Sequence, residues 1–169
     1  MALQLRKRLP NGETRPWTLR EVIQGKPINR PTHPMLVHFP IAFYIGALVV
    51  DVVSRLGTFP SASLMATWLI LGAFIGSSGA VLTGLVDRST MRPGSKARRK
   101  ATQHMLVQFG TAAVFVLVFA LRWGSRHDPE ASWLWIALEA AGALALTVGA
   151  DLGGQLVFLM GFRVGAGED

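Results

Sequence analysis

The chain opens polar and basic and turns apolar only near residue 35. Four long apolar runs follow: Met35 to Ser54, Ala62 to Val86, Ala101 to Trp123, and Ser132 to about Ala150. Each reaches the roughly 20 residues a helix needs to cross the hydrocarbon core. They largely lack the polar stripe that a soluble amphipathic helix carries. The pattern predicts an all-α integral membrane protein, with a four-span domain over 35–165 behind a leader over 1–34. Short connections after spans one and three predict antiparallel neighbours and an up-down four-helix bundle, with spans one and three diagonal across the core. The stretch Gly153 to Gly161 is too short to cross and reads as an interfacial tail. In the leader, Thr18-Leu19-Arg20-Glu21 has capping-box spacing and the pattern closes at Gly25, which predicts a short interfacial helix. No signal-peptide pattern precedes the first run, so that run reads as an uncleaved anchor.

Small residues recur every fourth position in three spans. Span two has Gly72, Gly76, Ala80 and Gly84; span four has Ala137, Ala141, Ala145, Gly149 and Gly153; span one has Ala42 and Gly46 after His38. Residues four apart share a helix face, so these stripes allow close backbone approach in lipid. They also leave room for a flat cofactor between helices.

Charge adds direction. The formal net charge is +7, which by itself admits a nucleic-acid binder. Its distribution points to topology instead. The leader carries Arg6, Lys7, Arg8, Arg15, Arg20, Lys26 and Arg30, and the loop between spans two and three carries Arg88, Arg92, Lys96, Arg98, Arg99 and Lys100. These two segments should therefore face the cytoplasm, with both termini, in a bacterial inner membrane; no nucleic-acid partner is expected. Trp123, Trp133 and Trp135 then form an aromatic belt at the outer face.

The chain has no cysteine, which removes disulfides, Cys-ligated iron–sulfur clusters and covalent c-type haem attachment. A redox role would rest on histidine. His38 and His104 stand about one turn inside spans one and three at the same end, the arrangement a bis-histidine haem b needs. His33 lies beside them, and Arg98, Arg99, Lys100 and Arg30 could meet haem propionates. The bland reading of each histidine is a polar anchor at the interface. A second reading joins His33, His38, Asp87 and His104 as a zinc or iron site. A third gives His33 the role of helix cap before Pro34, and Asp87 that of partner to a basic residue. His127, beside Asp128 in the outer loop, reads as solvated. Deeper in the outer half, Asp51 is four residues before Arg55 and pairs most simply with it. Glu139 has no partner on its own helix, so it is neutral, bonded to another span, or on a proton path with Asp51.

The stretch GKPINRPTHPMLVHFPIAFYIGALVVD resembles the opening of a family of bacterial membrane proteins, domain-of-unknown-function family 2231. Matching features are His33-Pro34, Val37-His38-Phe39-Pro40, Gly84 to Asp87, His104, and Gly153-Gly154-Gln155-Leu156-Val157-Phe158, where the family often has Tyr at the last position. The likeness covers roughly residues 25 to 165. It implies a four-span bundle. Some relatives look fused to Rieske iron–sulfur domains, which implies membrane redox work and an iron–sulfur partner.

Three functions remain open from sequence. The first is an electron-transfer or anchor subunit holding haem b and working between a quinone and a partner protein. The second is a cofactor-free structural subunit of a larger membrane complex, with the His/Asp cluster as a packing network. The third is a metal-dependent enzyme, for which no nucleophile motif or phosphate loop speaks.

Overall fold

The computed structural model describes residues 6–57 and 59–163. The last residues of the expected tail, 164 and 165, lie outside the described residues. In the leader, β1 (Lys7–Arg8) and β2 (Thr14–Arg15) form a small antiparallel hairpin that the sequence pattern did not signal. Helix α1 (Leu19–Ile23) follows, and Thr18 and Glu21 cap it reciprocally as their spacing predicts. Gly25 then turns the chain at φ 76°, where a side chain would strike the Arg30 carbonyl. A one-turn 3-10 helix, Lys26–Ile28, leads on.

Four helices long and apolar enough to cross a membrane make up the rest. The first is α2 (Thr32–Leu36) continued by α3 (His38–Ser54), broken only at Val37. The others are α4 (Ala62–Ser89), α5 (Lys96–Arg122) and α6 (Trp133–Phe158). Two corrections concern boundaries. Helix α6 runs through Gly153 and Gly154 to Phe158, so no separate interfacial tail begins at Gly153. In lipid every backbone group must bond within the helix, and this outweighs the glycines' weak propensity. At the other boundary, the first helix begins at Thr32 behind Pro31, so His33 sits inside the first turn and does not cap it.

The bundle is two hairpins, α3 against α4 and α5 against α6, with looser packing between them. The small-residue stripes make the tight packing. Gly72 admits Phe43, Gly76 admits Pro40, and Gly142 admits the Phe115 ring so closely that a Cβ there would sit 2.7 Å from it. Contacts of this kind hold helices together where lipid removes the hydrophobic drive.

The first span, α2 with α3, meets α5 across the bundle at three levels with one repeated interval. Asp51 bonds Arg122, 71 residues away. Tyr44 stacks on Phe115 and the His33 ring lies against His104, each at the same separation in sequence. From His33 to Asp51 is about 27 Å at 1.5 Å per residue. The leader, the α4–α5 connection and the residues after α6 gather at the histidine end: Arg20 donates to Ser89 Oγ at 2.9 Å and Arg163 to Asp87 at 2.5 Å.

Candidate functional site

At the leader end a cavity of about 480 Å³ opens between the two hairpins, lined by all four spans and mostly apolar. This volume is in the usual range for a small-molecule or cofactor site. His33 and His104 enter it from opposite hairpins. Their ring centres lie 6.2 Å apart and the ring planes meet at 84°.

The two histidines are held alike. His33 Nδ1 is 2.9 Å from the Ala80 carbonyl and 3.3 Å from Thr83 Oγ1. His104 Nδ1 is 2.7 Å from the Gly149 carbonyl. A carbonyl only accepts, so each Nδ1 carries a proton, and in the neutral ring the lone pair is on Nε2. Four residues beyond each carbonyl stands a glycine: Gly84 lies under His33 and Gly153 under His104. A Cβ at Gly84 would come within 2.9 Å of the His33 ring. An imidazole fixed through Nδ1 to a carbonyl, with Nε2 free, is the usual form of a metal-ligating histidine.

The structure brings His33, and not the expected His38, beside His104. His38 is exposed at the cavity rim, with Nδ1 3.4 Å from the Met35 carbonyl. Five helical residues rotate a side chain by about 140°, so His33 and His38 cannot both face inward. The four-residue metal set is not assembled either. Among the described residues no three His, Asp or Glu side chains converge on one point, and Asp87 is taken up by Arg163. Arg98 and Arg99 bond the loop carbonyls of Met91 and Gly94. The arginines lining the cavity are Arg88 and Arg163. Arg88 is held by Thr102 Oγ1 at 2.9 Å.

The far end carries a second buried cluster. Arg122, Asp51 and Glu139 are all fully buried. Arg122 donates to Asp51 Oδ1 at 2.8 Å, Glu139 Oε1 at 3.0 Å and the Ser63 carbonyl at 2.8 Å. Asp51 thus pairs with a different helix from the one expected, and Arg55 bonds Glu130 at 2.6 Å instead. Trp133 and Trp123 are exposed as a belt requires, but Trp135 is buried with the Arg122 guanidinium 5.0 Å from its ring centre. Arg122, a charge inside the apolar run Ala101 to Trp123, was the signal for this cluster.

At the leader, Arg15, Lys7 and Thr18 surround Glu21. The Arg15 guanidinium foremost, then the Thr18 amide, hold its carboxyl below the usual carboxylate range.

No curated protein and no solved structure matches the chain. The family model described as "Predicted membrane protein (DUF2231)" matches residues 29–166, from just before the first span to beyond the last, and the chain belongs to that family.

Proposed function

We propose that the chain is a b-type haem subunit of a membrane electron-transfer complex, in which His33 and His104 would hold the haem iron. The observation that carries this is the paired imidazoles. Two imidazoles bound to one metal from opposite sides, at about 2.0 Å each, have ring centres about 6 Å apart; here the separation is 6.2 Å. Both rings are already fixed through Nδ1, so binding would cost little reordering. Arg88 and Arg163 line the same cavity and supply positive charge for carboxylate groups at its mouth. The group would supply one-electron transfer. The chain's own part is to hold the two rings, exclude water with apolar walls and place the site near the leader end.

The basic leader and α4–α5 connection orient that end toward the cytoplasm of a bacterial inner membrane. A quinone in the bilayer and an iron–sulfur protein as a separate subunit are the partners this role needs. A second reading is favoured by one observation: each histidine bridges two helices of its own hairpin, which a cofactor-free packing network would also use.

Absorption spectra of the detergent-solubilised protein, oxidised and reduced, decide between them. The haem reading expects a Soret band and a reducible α band, lost in His33→Ala and in His104→Ala and kept in His38→Ala. A colourless, iron-free, fully folded protein would establish the packing network.

A further inference from the structure

We propose that Asp51 and Glu139 form a proton-binding site in the membrane interior, one proton being shared between their carboxyl groups beside Arg122. The site is independent of the histidine cavity. It lies at the other end of the bundle, beyond the stacked Tyr44 and Phe115 rings.

Two observations converge on the proton. The first is charge. One guanidinium faces two carboxyls, all three without solvent exposure. With both carboxyls ionised the cluster would carry a net negative charge away from solvent, which is costly. One bound proton brings the sum to zero. The second is bonding. Both carboxyls bond the same guanidinium, Asp51 through Oδ1 and Glu139 through Oε1. Yet Asp51 Oδ2 and Glu139 Oε2 are both buried with no donor. A proton on either carboxyl removes one of these bare acceptors and supplies a donor for the other.

No hydrogen bond reaches those oxygens among the contacts described, and Arg122 Nε and Arg55 Nε are likewise buried without an acceptor. From α4, Ser63 faces Arg122 through its carbonyl and hydroxyl oxygens. From α5 comes Arg122 itself, whose guanidinium nitrogens serve Asp51 Oδ1 and Glu139 Oε1. Near α3, Arg55 is committed to Glu130. The α5–α6 connection closes the site toward the far end: Ala131 is fully buried, and its amide donates to Ser54 Oγ at 2.8 Å.

Infrared spectroscopy of the full-length protein in detergent tests this directly. The wild type should show the carbonyl stretch of a buried protonated carboxyl at neutral pH, with slow shift in heavy water. The band should vanish in Glu139→Gln, whose amide donates to Asp51 in the proton's place, and that variant should stay folded to higher pH than the wild type. Absence of the band in a folded wild type at neutral pH would overturn the proposal. So would a melting temperature that rises with sodium and not with acidity, which would make the site one for a metal cation. Neither result bears on the haem spectrum, so the two proposals stand or fall separately.

Discussion

Tyr44 stacks on Phe115 with ring centres 4.1 Å apart and planes tilted by 26°. Each ring belongs to a different hairpin, and the contact sits between the cavity at one end and the charge cluster at the other. It is the apolar partition of the bundle. Phe115 is fully buried and its edge fills the space left by Gly142. Phe115→Ala should cost about 3–5 kcal/mol, as large aromatic deletions in packed interiors do. Tyr44→Phe should cost far less, because the Tyr44 hydroxyl meets Ser77 Oγ only at 3.5 Å. Thermal unfolding in detergent, followed by far-ultraviolet dichroism, would rank the two.

Removing the single buried cation should be among the most damaging changes. Arg122→Met leaves Asp51 and Glu139 facing each other without a counter-charge. Breaking a buried ion network from one side costs about 3–5 kcal/mol. The triple change Arg122→Met, Asp51→Asn and Glu139→Gln should recover much of that loss. Equal melting temperatures for the single and triple variants would refute the account.

The glycine seats make a sharper test of the histidine geometry than deleting the rings. Gly84→Val and Gly153→Val keep both histidines but put side chains where the His33 and His104 rings now lie. Each should displace one ring and release its Nδ1 contact, with loss of any haem spectrum. Gly94→Ala, at the α4–α5 turn, has open space around the added carbon but a positive φ; it should affect stability and leave the spectrum unchanged.

The leader should loosen in acid. Glu21 has its carboxyl held below the ordinary range by Arg15 and Thr18, so the folded state favours the ionised form. Its contribution is complete above the unfolded value, about pH 4.3. It is lost as pH falls below that value toward the folded one. The protection factors of the α1 amides, corrected for the intrinsic exchange rate at each pH, should therefore fall at low pH, and Glu21→Gln should show the reduced protection at neutral pH. Unchanged protection in that variant would remove Glu21 as the clasp.

The spans were legible because lipid leaves a helix few alternatives: a run from Ala62 or Ala101 apolar enough to cross must bond its own backbone. The leader helix was legible from Thr18 and Glu21, whose reciprocal bonds are local. The histidine partner was not. His33 and His38 differ by a turn and a half of helix, and Pro31 moves the helix start three residues earlier than the apolar run suggests. The partner of Asp51 was hidden for another reason. Arg55 satisfies helical spacing, whereas Arg122 is reached only through tertiary packing. An echo was present, Met35-Leu36-Val37-His38-Phe39 against Met105-Leu106-Val107-Gln108-Phe109, but it stands one residue out of step with the interval that the contacts keep.

That repeated interval makes the two hairpins near-equivalent halves, and the Asp51–Arg122 bond is where equivalence fails. Two copies of the first half joined the same way would set aspartate against aspartate; two copies of the second would set arginine against arginine. Only unlike halves bring Asp51 to Arg122. The charge pair therefore acts as a keyed joint: it sets a first hairpin against a second rather than against its like.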